Sequence, residues 1–345
     1  MVKPINNVWK CLLMFLLLLS VLPPAFGTTP VEREVKFTGM GGVSLSGTLT
    51  LPLGIAPVAA LVLIAGSGPT DRDGNQPPLL QTDLLKQIVA DLAKQGIASL
   101  RYDKRGQYAS GPLPISEQEL YDFTAWHNYV GDVAAAYRWL RAQPGIRPSR
   151  VGLLGHSEGG LLALDAADTL RATPPAVLVL VSTQGRPTNE VLHEQIKRLL
   201  DMQGATPEQT KFFMDKNDSI LAAIRRTGHV PEDVPPGLAF LYQPYLGKFL
   251  QEQLGLTPVK LLASFPGPVL ILQGASDVQV SPSEDAGVLK SAKNEKGISP
   301  TLMLIKGASH NLKSVKGAQD AGFSGPIVPD ALTALNGWLA TYLVK

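Results

Sequence analysis

Cysteine is nearly missing from this sequence. One residue in 345, Cys11, cannot supply a disulfide framework, so stability must come from a packed core. Excess charge is missing too: 31 Lys and Arg stand against 29 Asp and Glu, a formal net charge of +2. So balanced a chain has no bulk electrostatic reason to seek nucleic acid or an anionic membrane. There are only five histidines. His193 and Glu194 have no second histidine at metalloprotease spacing, and no phosphate-cradling glycine motif appears, so neither a metal nor another cofactor is implied. What is plentiful is apolar surface, at 45% of residues. That is enough to bury a large core and excludes a disordered chain.

The one long apolar run lies at the start. Lys3 and Lys10 precede it, Cys11 opens it, Ser20 alone interrupts it, and Pro23 and Pro24 end it before Ala25, Phe26 and Gly27. A membrane helix needs about 20 apolar residues, and this run is shorter. It reads as a signal peptide, 1–27, cut after Gly27. Removing it takes away Cys11 and two of the 31 basic residues, leaving 29 against 29 acidic ones. The mature chain, 28–345, is expected to be neutral, cysteine-free, and secreted or periplasmic, with no stable membrane insertion.

Beyond that point short apolar runs alternate with longer amphipathic ones. Strands are predicted at 43–51, 59–65, 97–102, 151–154, 177–182, 269–273 and 301–305, with 35–37 pairing onto 43–51 as a leading hairpin. Runs such as VLVLVS and VLILQG are apolar on consecutive positions, the mark of parallel strands buried on both faces. Helical spacing recurs at 79–94, 124–141, 158–172, 283–292 and 329–344. The alternation predicts an α/β domain whose mostly parallel sheet is flanked by helices. Residues 183–267 are too many for one crossover. With helical patterns at 189–202, 208–226 and 238–254, and a capping box from Thr206 to Gln209, they predict a helical cap inserted into a single domain.

The chemistry centres on Gly155-His156-Ser157-Glu158-Gly159, with a strand before it, a helix after it and a further glycine at 160. A turn this tight holds Ser157 in strained geometry at a strand end, and glycines two positions away on each side remove the Cβ atoms that would clash. Ser157 is the candidate nucleophile, and it needs a base oriented by an acid. Of the five histidines, only His310 follows a C-terminal strand across a small-residue loop. His156 is expected to pack, while His127, His193 and His229 fall in helical or cap segments. Asp277 follows the preceding strand and is the candidate acid. Asp285 and Glu284 are the runners-up, expected to be solvated on the next helix. The oxyanion needs two backbone donors. One is the amide of Glu158, and the other is expected from the loop 65–75, at Ser67 or, as second choice, Gly68.

GHSEGG, GASD and GASHNLK, in that order, resemble the α/β-hydrolase superfamily. GSGPTDRDGN and LRYDKRG are similar to a branch containing secreted carboxylesterases and serine aminopeptidase-like hydrolases related to prolyl oligopeptidases. The resemblance runs from about Val31 to Leu343 and is weakest in the cap. It implies an eight-stranded sheet of the α/β-hydrolase fold, with Ser157 as nucleophile, Asp277 as acid, His310 as base and the Ser67 loop as oxyanion donor. Where many relatives have His-Gly before the oxyanion residue, this chain has Ala65-Gly66.

The expected activity is hydrolysis of short- to medium-chain acyl esters, small-molecule substrates, through an acyl-enzyme. A peptidase or aminopeptidase is the second reading and would need an acidic cluster for a peptide N-terminus. A non-catalytic binding protein is the third. Asp71, Arg72 and Asp73 are candidates for a charged substrate end or for a self-paired loop, and Asp103, Lys104 and Arg105 for structural bracing. Phe212, Phe213, Phe240, Tyr242, Tyr245 and Phe249 are candidates for an acyl pocket or for the core of the cap.

Overall fold

A leading hairpin opens the sheet. In the computed structural model, which describes residues 30–54, 57–294, 296–317 and 320–345, β1 (Val31–Thr38) pairs antiparallel with β2 (Ser44–Leu51), Thr38 facing Ser44. The expected signal peptide, 1–27, lies outside the described residues. The hairpin turns through Met40–Gly42, where Gly41 and Gly42 take φ of 69° and 82°. Six further strands follow: β3 (Val58–Ile64), β4 (Ala98–Tyr102), β5 (Ile146–His156), β6 (Leu178–Val181), β7 (Val269–Gly274) and β8 (Thr301–Ile305). The sheet order is β1-β2-β4-β3-β5-β6-β7-β8, antiparallel as far as β4 and parallel from there on. β6 and β7 are buried at every position, which is why they run apolar on consecutive residues as far as Gln273, whereas β4, equally buried, carries Ser99 and Arg101.

Helices cover both faces. On one, α1 (Leu84–Lys94) and α10 (Pro329–Leu339) pack through Leu84, Ile88, Leu92, Leu335 and Leu339. On the other lie α3 (Trp126–Arg141), α4 (Glu158–Thr169) and α9 (Asp285–Ser291), packing through Val133, Leu140, Leu161, Leu164 and Leu289. α1 starts at Leu84, not at the expected 79. Asn75 Oδ1 accepts the amides of Thr82 and Asp83 at 2.8 and 2.7 Å, which holds the preceding residues as a loop. α2 (Glu117–Phe123) was not expected, because seven residues are too few to display a helical period.

Between β6 and β7 run α5 (Thr188–Met202), α6 (Pro207–Thr227), α7 (Gly247–Leu254) and α8 (Pro258–Ser264). α6 begins at the capping box of Thr206 and Gln209. The helix expected over 238–254 is instead two short 3-10 turns, Pro236–Leu238 and Pro244–Leu246, followed by α7. Pro244 has no N–H to continue a helical ladder. α5, α6 and α7 share a core of their own that includes Ile196, Leu221, Ile224 and Leu250. Tyr242 is buried in it and donates to Asn217, whereas Phe249 packs on Trp126 and Tyr129. Phe212 and Phe240 are 51% and 61% exposed. The cap aromatics therefore divide between interior and open surface and do not gather into one lining. Among the described residues no helix is long and apolar enough to cross a membrane.

Candidate active site

β3 marks the point where the sheet changes direction, since the chain steps outward from it to β4 and then back past it to β5. In open α/β sheets, the crevice at the C-terminal ends of the strands beside such a switch is where ligands bind. Ser157 follows β5 there, and the 65–75 loop follows β3. Ser157 has φ 56° and ψ −123°, strained for any residue with a Cβ. A side chain on Gly155 would run into the backbone of Gly159, and one on Gly159 into the carbonyl oxygens of Ile64 and Ala65. The Ser157 amide donates to Val181 O at 2.8 Å, and α4 begins with the next residue.

Asp277 and His310 meet where the sequence placed them, beyond β7 and β8. His310 Nδ1 lies 2.8 Å from Asp277 Oδ2, and both residues are buried. An ionised carboxylate can only accept, so Nδ1 carries the proton and Nε2 is left as the basic nitrogen. The carboxylate is saturated with donors: Oδ1 accepts the amides of Gln279 and Val280 at 2.8 and 3.0 Å, and Oδ2 also accepts Gln273 Nε2 at 2.8 Å. Burial alone would raise the Asp277 pKa, but the charge and hydrogen bond of His310 and the two amides overcome it, so the group titrates below its ordinary value. Among the described residues Ser157 Oγ forms no hydrogen bond with His310. Catalytic contacts often tighten only when substrate is bound.

His156 is buried, as expected, but it does more than fill space. Its Nε2 donates to His310 O at 3.1 Å, and the two rings sit 4.8 Å apart. Burial, with the neighbouring His310, pushes its pKa down to about 3, so the ring is neutral and packs without bringing charge into the site.

The loop after β3 lies against the serine. A Cβ on Gly66 would touch Ser157 Cβ and His156 Nδ1, each at 3.3 Å. Gly66 O accepts from Lys104 Nζ at 2.6 Å, and Ser67 O accepts from Thr70 Oγ1 and Gln76 Nε2 at 2.7 and 3.1 Å. Both peptide units that carry the candidate donors, the amides of Ser67 and Gly68, are thereby fixed. The Glu158 side chain faces Lys104 at 3.8 Å and accepts from Gln253 Nε2 at 3.4 Å, leaving its amide as the first of α4.

Other candidates serve the scaffold. Asp285, expected to be solvated, is fully buried. It accepts the amides of Gly185, Arg186 and Ser281 at 3.0 Å each, and its Oδ2 pairs with Arg186 at 2.8 Å, because the exit of β6 crosses the start of α9. Glu284 also pairs with Arg186. Arg72 pairs with Asp103 and Glu34, Asp73 with Arg101, and Arg105 with Asp132, while Asp71 accepts the amides of Asp73 and Asn75. His127 contacts Glu252, His193 faces Asp218, and His229 stacks on Tyr121, all away from the pair. Sequence reasoning missed Gln273. A lone polar residue in the buried run VLILQG was the available signal.

Residues 81–229 match the family model described as serine aminopeptidase, S33. Esterase EstD of Thermotoga maritima is 26% identical over 286 residues, covering 83% of this chain and 61% of that protein. Polyketide transferase claH of Penicillium crustosum is 26% identical over 193 residues, 54% of this chain and 58% of its own. The chain thus spans less than two thirds of the length of these curated relatives. In three dimensions it superposes on the Pyrococcus furiosus esterase PF2001 with a TM-score of 0.57 at 16% identity, covering 91% and 92% of the two chains. Est1E of Butyrivibrio proteoclasticus gives 0.55 at 16% identity, covering 90% of this chain and 99% of that one. An eight-stranded, mostly parallel sheet with a Gly-x-Ser-x-Gly elbow after its fifth strand, together with these structural likenesses, gives the chain the α/β-hydrolase fold.

Proposed function

We propose that the protein is a serine carboxylesterase acting on short- to medium-chain acyl esters. The observation that carries this reading is the buried contact of His310 Nδ1 with Asp277 Oδ2, beyond the C-terminal ends of β7 and β8 in the same sheet whose β5 leads into a serine held on a strained elbow. His310 Nε2 takes the Ser157 proton as Oγ attacks the ester carbonyl carbon. The resulting oxyanion is held by the amide of Glu158 and that of Ser67, with Gly68 as the alternative, each donor contributing about 3 kcal/mol to lowering the barrier. The tetrahedral adduct collapses with the proton passing from His310 to the departing alcohol. Water, deprotonated by the same histidine, then releases the acid from the acyl-enzyme.

The relative EstD bears the name esterase, which favours ester over amide substrates. The S33 match favours a peptidase. An aminopeptidase needs a carboxylate free to meet a substrate ammonium, but the nearby acids have partners already: Glu158 with Lys104, Asp73 with Arg101, and Asp103 with Arg72. The ester reading is therefore preferred, with residues 183–267 as the lid over the site.

The test is a panel of p-nitrophenyl esters of graded chain length beside aminoacyl naphthylamides. Turnover of short and medium esters that disappears in Ser157→Ala is expected. Hydrolysis of the naphthylamides alone would establish the peptidase instead, and no reaction with a fluorophosphonate probe would make the chain a binding protein. Export is part of the proposal: the N-terminus of protein recovered from the periplasm or medium should begin at Thr28, and retention of residues 1–27 would refute cleavage.

A further inference from the structure

The side chain that follows Asp103, just beyond the end of β4, is a buried lysine, 4% exposed, with two polar neighbours. Its Nζ donates to Gly66 O at 2.6 Å and stands 3.8 Å from Glu158 Oε1. Gly66 precedes one candidate oxyanion donor, and Glu158 carries the other. In a trans peptide the C=O of one residue and the N–H of the next point in opposite directions. A grip on Gly66 O therefore dictates where the Ser67 N–H points, and Gly66 itself lies against Ser157 Cβ.

The geometry points to Lys104 as the positioning residue of the oxyanion hole: one ammonium orients the Ser67 amide through Gly66 O and ties that loop to the start of α4 through Glu158. This rests on the proposed serine mechanism and specifies a part of it. The 66–68 segment needs such a restraint because Ser67 and Gly68 are exposed and Gly68 has φ 72°. Burial acts against the charge of Lys104 and lowers its pKa, while Glu158 supports the charge. Such a lysine is retained at a cost in solvation. Arg72 and Arg105, the flanking cations, reach neither Gly66 nor Glu158 and brace other strands and helices.

The experiment compares Lys104→Met, Lys104→Arg, Glu158→Gln and the double variant Lys104→Met/Glu158→Gln on a p-nitrophenyl ester, with a trifluoromethyl ketone as analogue of the oxyanion. Misdirecting one donor by a fraction of an ångström should lower kcat roughly 10- to 100-fold. The expected pattern in Lys104→Met is that loss with KM within about twofold, the same loss in ketone affinity, and partial recovery in Lys104→Arg. The loss should persist in the double variant, because neutralising Glu158 does not restore the grip on Gly66. Recovery in the double variant would overturn the proposal by making Lys104 a counter-ion only, as would unchanged kcat or a loss confined to KM. Fluorophosphonate labelling of Ser157 in Lys104→Met reports that the fold and nucleophile are intact. If Ser157→Ala keeps full turnover in the same assay, the serine mechanism has failed, not the assignment of Lys104.

Discussion

Gln273 Nε2 donates to Asp277 Oδ2 at 2.8 Å, the same oxygen that meets His310 Nδ1. Its amide orientation is forced, since Asp277 Oδ2, Val280 O and Gly274 O are all acceptors around that nitrogen. The amide therefore shares that carboxylate oxygen with the imidazole and holds it in place. A hydrogen bond to a charged group contributes about 1.5 to 3 kcal/mol. Gln273→Leu should lower kcat/KM roughly tenfold, as about 1.4 kcal/mol of orientation is lost from the transition state. Steady-state kinetics with a saturable ester, beside the urea midpoint, checks this, and wild-type kcat/KM would show that the strand amide is dispensable.

His156 makes stability pH-dependent. Folded, it stays neutral down to about pH 3, whereas in the unfolded chain it takes up a proton near 6.5. Below pH 6.5 the unfolded state therefore binds one proton more, and stability falls as the pH drops toward 3, by up to about 1.4 kcal/mol per unit. Asp277, whose folded pKa is depressed, loses its contribution only lower, as pH falls below the ordinary carboxylate range. His156→Gln keeps a donor for His310 O but cannot titrate. Urea unfolding at pH 6, 5 and 4 should show a flatter slope in that variant than in wild type, and parallel slopes would mean His156 is not the group responsible.

The elbow and the acid-base pair were legible because each depends on local sequence. Gly155 and Gly159 are required by contacts within one turn, and Asp277 and His310 each follow a recognisable buried strand. What supports them comes from far along the chain. Lys104 reaches back 38 residues to Gly66, His156 meets a carbonyl 154 residues away, and Arg186 pairs with a carboxylate 99 residues on. No periodicity encodes such pairings. Asp285 looked like a solvated helix residue because an acidic side chain near a helix start is usually exposed. Here a crossing segment buries it and Arg186 supplies the countercharge.

Asp285 accordingly separates stability from catalysis. Arg186→Met leaves its carboxylate buried with three amide donors and no cation, and should destabilise the fold by about 3 kcal/mol, read from urea unfolding. Asp285→Asn should keep kcat within about threefold of wild type at a temperature where both are folded. Asp277→Asn, which spoils the tautomer of His310, should lose on the order of 10⁴-fold in kcat. The reverse pattern would make Asp285 the catalytic acid.

Ser157 stores backbone strain that only its chemistry justifies. At φ 56° and ψ −123° a residue with a Cβ carries a cost of about 1 to 3 kcal/mol, whereas glycine adopts such angles freely. Glycine also has more conformational entropy to lose on folding, which offsets roughly 0.4 to 1 kcal/mol of the relief. Ser157→Gly should therefore be more stable than wild type by about 1 kcal/mol, a rise of roughly 1 to 3 °C in Tm for a chain of this size. Ser157→Ala keeps the Cβ and the strain and should show no such gain. Both should lose at least about 10⁴-fold in ester turnover. A scanning calorimetry comparison of the three proteins, beside the turnover assay, separates the two consequences proposed for one residue: the loss of turnover should follow the hydroxyl, and the gain in stability should follow the Cβ. Equal Tm values for the glycine and alanine variants would mean the elbow is relaxed in solution.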